Sequence, residues 1–253
     1  MLIPTRAANP LPGYIGKRHL LNAMKEVAST PVDAARPLGF NLLRVPFFLE
    51  PDYPTSPEFE ETNRVRLIRK WGGEAGWQRQ KARHRMKERG QEVGIEKFNL
   101  DRIASNTLAS HRLVQWVTRT LGVNAAETLY AELNKRHFVD GEKLNSREML
   151  VEAAARVGSA PEATRAFLES DEGTAEIQKA QARLQQIGVS GIPTVILGGK
   201  WMMPSGAVGA GTLVEAFRSV EAEGGAPDAL FAEDLSIPQN VLEETLDLEA
   251  AAC

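Results

Sequence analysis

The sequence is almost devoid of cysteine. Among 253 residues the only one is Cys253, at the last position. An internal disulfide and a Cys-x-x-Cys redox motif are therefore excluded, and so is zinc ligation by cysteine. The histidines, His19, His84, His111 and His137, show no ligand spacing, so we expect no metal site.

Basic residues are absent after Arg218, although the net charge of the whole chain is only −3. The last segment is acidic, whereas Lys and Arg crowd residues 64–89. Only Trp71 and Trp77 stand among these cations, so the regular aromatic interleaving that would favour the alternative, a phosphate or RNA surface, is missing. We expect a solvated basic helix pair, an acidic tail and no nucleic-acid partner.

Long apolar runs are also absent. No segment has the length and hydropathy of a membrane span, so we expect no membrane partner. The first ten residues lack the uninterrupted apolar core of a secretory signal. The expected location is the cytoplasm, with an organelle lumen as the alternative. The sequence does not indicate an oligomeric state.

What the chain has in abundance is helical periodicity, especially between about residues 62 and 187. Apolar stripes recur at helical spacing, and glycines separate them. The predicted helices are Tyr14–Val27, Thr62–Trp71, Glu74–Val93, Asn106–Leu121, Ala125–Phe138, Ser146–Val157, Pro161–Glu169, Asp171–Ile187 and Thr212–Glu223, with a short one near Val241–Leu248.

Strand signals flank this helical block. Phe40–Leu49 is largely apolar and predicts a strand, although Pro46 excludes a regular central ladder at that point. Residues 1–13 are punctuated by prolines and predict at best a poor strand. Two short runs, Thr194–Leu197 and Trp201–Met203, are joined by Gly198-Gly199 and predict a β-hairpin.

Pro193 stands at the entry to this hairpin. Because proline cannot donate to a strand ladder, it marks either the start of a strand or a cis peptide bond. A cis-proline before a strand leaves the neighbouring backbone free to pair with an extended ligand. The alternative is a plain hairpin with a proline at its entry.

The order of elements predicts an α/β, thioredoxin-like fold with a large all-helical insertion. In this division residues 1–57 and 188–223 form a discontinuous thioredoxin-like domain, residues 58–187 form the insertion, and residues 224–253 form a flexible acidic tail. An independent helical domain beside an unrelated β element is the competing interpretation.

Five segments resemble the DsbA family of thioredoxin-fold proteins, in its FrnE-like branch. That branch is similar to the 2-hydroxychromene-2-carboxylate isomerases and the kappa-class glutathione transferases. The resemblance extends from about Pro10 to Val220 and implies an oxidoreductase class. The segments are Tyr14–Arg18, Arg44–Pro54, Ser105–Leu113, Phe167–Gly173, and Gly188–Thr194 followed by Ser205–Ala207.

The chain departs from this family at its redox motif. In the family a Cys-Pro-Trp-Cys motif directly precedes Tyr-Ile-Gly-Lys, and here the corresponding residues are Pro10-Leu-Pro-Gly13. A helix N-terminus lowers the pKa of a thiol and so produces the reactive thiolate, but no sulfur stands at Pro10 or Gly13. Cys253, in the acidic tail, is a poor substitute because nearby carboxylates raise a thiol's pKa. The resemblance therefore implies degenerate active-site positions and no catalytic residue.

The glutathione-using relatives generally hold a serine at the helix tip, which Gly13 does not supply. The resemblance nevertheless implies a binding frame made of Ile192, Pro193, Ser205, Gly206, Asn106 and His111. Each polar member has a structural alternative: Asn106 as a helix N-cap, His111 as a packing residue, and Ser205-Gly206 as a turn.

Three functional hypotheses follow. The first is a DsbA-family protein that has lost ordinary dithiol activity and keeps a peptide-binding groove. The second is a glutathione-dependent isomerase or transferase, with glutathione as a ligand and no other cofactor. The third is a non-enzymatic module whose basic helices and acidic tail contact partners.

Overall fold

A computed structural model describes residues 2–6, 11–56, 58–225 and 230–252. The strands are β1 (Leu2–Arg6), β2 (Leu43–Phe47), β3 (Glu61–Thr62), β4 (Ile103–Ala104), β5 (Ile196–Leu197) and β6 (Trp201–Met202). The helices are α1 (Leu11–Ser29), α2 (Asn63–Lys70), α3 (Glu74–His84), α4 (Met86–Gln91), α5 (Leu108–Lys135), α6 (Arg147–Ala155), α7 (Pro161–Glu169), α8 (Thr174–Gln186), α9 (Ala210–Ala222) and α10 (Gln239–Leu242). A π-helical turn spans Arg136–Asp140, and a 3₁₀ turn spans Ala250–Ala252.

Four strands form the main sheet, in the order β2-β1-β5-β6. The β1–β2 pair is parallel, and the β1–β5 and β5–β6 pairs are antiparallel. Helix α1 connects the parallel pair, α2 to α8 separate β2 from the hairpin, and α9 follows it. This confirms the predicted α/β, thioredoxin-like fold with a helical insertion.

Strand β1 is more regular than the sequence predicts. It pairs with β2 along its whole length, from Leu2 opposite Leu43 to Arg6 opposite Phe47. Pro4 made the sequence pattern of this strand weak, because a proline cannot donate a hydrogen bond to a strand ladder. On its other side β1 pairs with β5 only at Leu2, opposite Ile196. No β1–β5 pairing therefore exists at Pro4 that its missing donor could interrupt.

Strand β2 lies at the edge of this sheet, which accounts for Pro46 within it. Two glutamine side chains from the helices cover its outer side. Gln115 of α5 donates through Nε2 to the Arg44 carbonyl at 2.6 Å, and Gln181 of α8 donates to the Pro46 carbonyl. The carbonyl groups of the edge are thus satisfied by the helical insertion.

Two long helical segments are interrupted, one of them at a boundary that the sequence predicts. The segment Glu74–Val93 is split by Arg85, whose φ of 45° is left-handed and ends α3 before α4 begins. In α5, Gly122 has φ 88° and ψ 176°, so the helix is broken where the sequence predicts a boundary. Glycine suits that position because it lacks the Cβ that makes positive φ unfavourable.

The insertion has its own apolar core. Leu113, Val117 and Leu129 of α5 are fully or almost fully buried and pack with Leu150 of α6 and Phe167 of α7. A separate core joins α1, α9 and the hairpin, with Leu20, Met24 and Phe217 among its members. The inward faces of α1 and α9 are those that amphipathic periodicity predicts.

The end of the chain departs from the flexible tail that the sequence predicts. In residues 230–252, Phe231 and Leu235 are fully buried and pack beside β2 and α8. The Asn41 side chain donates to the carbonyls of Val241 and Glu244, at 2.8 and 2.9 Å. The segment is acidic in composition, but its few apolar residues, among them Phe231 and Leu235, are sufficient to anchor it.

Within the described ranges, no helix combines the length and apolar character needed to cross a membrane.

Candidate functional site

The first turns of α1 lie directly against the proline at the hairpin entry. The peptide bond between Ile192 and Pro193 is cis, one of the two possibilities the sequence predicts. A Cβ added to Gly16 would lie 2.7 Å from Pro193 Cγ and 3.8 Å from Ala207 Cα. Only glycine therefore allows the helix to approach the proline this closely without displacing it.

Ile192 presents an unpaired backbone at this point. In the part of the chain that the structure describes, neither its amide nor its carbonyl takes part in a hydrogen bond. Its side chain is buried, with 7% exposed, so the residue is held in place by packing. A free donor and acceptor on a fixed segment can pair with an extended ligand as a strand does.

Ser205 and Gly206 form a hydrogen-bonded turn around the same proline. The Ser205 hydroxyl lies 2.7 Å from the Thr194 hydroxyl, and the Gly206 amide donates to the Pro193 carbonyl at 2.8 Å. Gly206 has a φ of 124°. The structure thus supports the turn interpretation, and the Gly206 amide is already engaged within the loop.

Asn106 joins the start of α5 to the loop after β2. Its Nδ2 donates to the Tyr53 carbonyl at 2.6 Å, and its Oδ1 accepts from the Leu108 amide at 2.8 Å. The cap position itself belongs to Thr107, whose side chain makes no capping bond. Asn106 therefore satisfies a free amide at the helix start, which is the structural role that its N-cap alternative predicts.

His111 is a buried neutral imidazole. Its ring meets Phe48 edge-on, with 5.3 Å between ring centroids. Burial lowers the pKa of His111 to about 4, and a hydrogen bond to the Phe47 backbone offsets this only in part. Its Nε2 has no hydrogen-bond partner among the described residues. These contacts support the packing alternative for His111.

Of Pro10 and Gly13, which the resemblance aligns with the cysteines of the family, only Gly13 lies within the described residues. The helix begins at Leu11, so Gly13 lies in its first turn, whereas Pro10 and Cys253 are outside the described residues. Tyr14 is buried and stacks on Phe138, with 5.7 Å between ring centroids. The first turns of α1 therefore lie beside the cis-proline, and the sequence of α1 contains no cysteine.

A buried charge cluster, not predicted from the sequence, joins α1, β2 and α5. Glu127 accepts two hydrogen bonds from Arg44, one of them 2.7 Å from Arg44 Nη2, and lies 3.9 Å from Lys17 Nζ. Each of the three side chains is at most 3% exposed. The Arg44 guanidinium also lies 4.3 Å from the centre of the Tyr130 ring.

This burial raises the pKa of Glu127, but the attraction and hydrogen bonds of Arg44 outweigh it, so the pKa lies below its usual value. The carboxylate is therefore ionised and holds two cations at the junction of the sheet and the insertion. The available sequence signal was Arg44, a charged residue within the largely apolar run Phe40–Leu49. Its partner is too distant in sequence for spacing to identify.

Among the described residues, no three histidine, cysteine or carboxylate side chains come together as metal ligands would.

Comparison with known proteins places this geometry in a family. A solved crystal structure of a probable DsbA oxidoreductase from Streptomyces coelicolor superimposes with a TM-score of 0.72, over 86% of this chain and 88% of that one. The two sequences are 23% identical, so this likeness shows the fold. No match was found among curated proteins. The family model of the DSBA-like thioredoxin domain matches residues 33–218, which is more than half of the chain. The chain therefore belongs to the DSBA-like thioredoxin domain family.

Proposed function

We propose that this protein is a FrnE-like member of the family that has lost dithiol redox chemistry and binds an extended peptide. The observation that carries the proposal is the unpaired backbone of Ile192 beside cis-Pro193. The ligand would be an unfolded or extended polypeptide segment, because main-chain pairing recognises backbone rather than one particular side chain.

The absence of redox chemistry follows from the residues at the start of α1. Thiol–disulfide exchange needs a thiolate attacker, and a helix N-terminus supports one by stabilising negative charge. The segment Pro10–Gly13 contains no sulfur, and the one thiol in the sequence is Cys253. What is retained is the packing of the helix against Pro193, which fixes the peptide-binding backbone.

Peptide binding is tested by nuclear magnetic resonance. We expect carboxymethylated insulin B chain, an unfolded polypeptide without free thiols, to shift the amide resonances of Ile192 and Thr194. Ile192→Pro removes the amide donor and should abolish binding, whereas Ser205→Ala should leave it unchanged. Circular dichroism reports whether each variant is folded. A folded wild type that shows no shift at Ile192 contradicts the proposal.

Loss of redox activity is tested separately by the reduction of insulin with dithiothreitol. We expect the wild type and Cys253→Ser to leave the rate at its uncatalysed value. Catalysis by Cys253→Ser would overturn this part of the proposal. The variant Pro10→Cys/Gly13→Cys introduces a Cys-x-x-Cys sequence directly before Tyr14, and we expect it to gain measurable activity.

Glutathione-dependent isomerase or transferase activity is the second candidate. It is favoured by the exposed Ser205 beside the cis-proline, where a hydroxyl could contact the γ-glutamyl end. The engaged Gly206 amide counts against it, because that donor is already used by Pro193. We expect millimolar reduced glutathione to leave the Ser205 and Gly206 resonances unchanged, and localised shifts there would favour glutathione chemistry instead.

A further inference from the structure

A cavity of about 500 Å³ lies between α2, α3, α4 and the segment 96–100. Its walls include the apolar side chains Leu67, Trp71, Trp77, Phe98 and Leu100. About 300–1,000 Å³ is the usual range for small-molecule sites, which are concave and mainly apolar. The size and the aromatic walls suit a flat organic molecule.

Trp77 supplies an unsatisfied donor in this wall. The side chain is 8% exposed, and its indole N–H has no hydrogen-bond partner in the described part of the chain. Buried donors of this kind are normally satisfied. The wall of the cavity thus contains a residue whose donor has no partner among the described residues.

The exposed part of the lining, which we call the mouth, is positively charged. The lining contains Lys81, Arg85, Lys87 and Lys97 against two carboxylates, Glu88 and Glu96. Among the described residues none of these four cations forms a salt bridge. Because their charge is not neutralised locally, the mouth favours an anionic group.

The backbone at this mouth is also unusual. Arg85 has a φ of 45°, which is uncommon for a residue other than glycine, and it forms the break between α3 and α4. Residues held in such conformations cluster at ligand sites.

We propose that this cavity is a binding site for a small amphipathic anion, with an aromatic body against the tryptophans and one acidic group at the lysines. The site is separate from the peptide groove, because Ile192, Pro193, Ser205 and Gly206 do not line it. The cavity is connected by packing to α1, which lies against Pro193. Phe98 lines the cavity and also packs in the cluster that contains Tyr14 and Ile15 of α1.

The test uses 8-anilinonaphthalene-1-sulfonate, an aromatic anion whose fluorescence rises in an apolar site. We expect saturable binding of one molecule per chain, with energy transfer from tryptophan. The uncharged N-phenyl-1-naphthylamine, which has the same aromatic body, should bind at least threefold more weakly. Lys81→Gln and Lys97→Gln should each weaken binding of the sulfonate about threefold to fivefold, as loss of one partly exposed charge pair does.

Arg83→Gln is the matched control, because Arg83 lies on α3 and is exposed but does not line the cavity. It should leave the affinity unchanged, and it removes the same charge from the same helix. Equal affinity for the two probes, or equal effects of Lys81→Gln and Arg83→Gln, would overturn the proposal. Absence of binding to the folded wild type would overturn it as well.

Discussion

Acidification should destabilise this protein through its buried imidazoles, and His111 offers the clearest case. The imidazole of the folded protein has a pKa of about 4, because burial disfavours its charged form. In the unfolded chain it titrates near its ordinary value of about 6.5. As the pH falls below that value, the unfolded state takes up a proton first and is favoured, and the loss of stability continues until the folded pKa is reached.

The magnitude follows from the difference between these two values. Each pKa unit corresponds to about 1.4 kcal/mol, so a fall from about pH 7 to about pH 4.5 should remove about 2–3 kcal/mol through His111. His137, whose pKa burial and then the nearby Arg102 lower to about 3, should contribute in the same window. Together these losses approach half of the stability of a typical domain, about 5–15 kcal/mol.

Urea unfolding of the wild type and His111→Gln at the two pH values separates this contribution from all others. Glutamine has no charge to gain, so the variant should lose about 2–3 kcal/mol less than the wild type over the same interval. His84→Gln, at an exposed position, controls for the substitution itself. Equal pH dependence of the wild type and His111→Gln would refute the assignment of a buried neutral imidazole.

Three further substitutions test the packing of the site and the tail, each by urea unfolding. Glu127→Gln leaves Arg44 buried without its carboxylate and should cost about 3–5 kcal/mol. Gly16→Ala forces a Cβ against Pro193 and should cost about 1–3 kcal/mol while abolishing peptide binding, measured by resonance shifts. Leu235→Ala empties a fully buried position and should cost about 2–5 kcal/mol.

Matched controls exist for two of these changes. Glu249→Gln breaks an exposed ion pair with Lys25 and should cost less than about 1 kcal/mol, so equal losses from both glutamate variants would contradict a special role for burial. Gly211→Ala, in α9, meets no atom within 4 Å and should be neutral or stabilising. If Leu235→Ala leaves the urea midpoint unchanged, the anchoring of the tail is refuted.

The sequence predicted those parts of the fold that depend on local pattern. The hairpin and the helix faces follow from apolar periodicity. Because proline lacks an amide donor, Pro193 indicated either a cis peptide bond or the start of a strand. The sequence underestimated strand β1. A proline removes a hydrogen-bond donor from only one side of a strand, and the sequence alone does not show which side is paired. The engaged amide of Gly206 was not predictable, because a hydrogen bond within a loop leaves no periodic signal.

The buried cluster of Arg44, Glu127 and Lys17 could not be predicted from the sequence. Charged residues predict exposure, and only the tertiary fold brings these three side chains together. The prediction of a flexible acidic tail was wrong for a related reason. Its charges dominated the composition, although a few apolar residues such as Phe231 decide where the segment packs.

The anchored tail also has a consequence for biosynthesis. The Leu246 amide donates to the Phe40 carbonyl, and the Glu244 carboxylate accepts from the Val123 amide at the break in α5. Residues that follow both units in the sequence therefore tie the loop before β2 to the insertion. During synthesis the sheet and the insertion emerge before this segment, so their shared apolar surface stays open until residues 230–252 have followed. We expect the nascent chain to depend on chaperones up to that point.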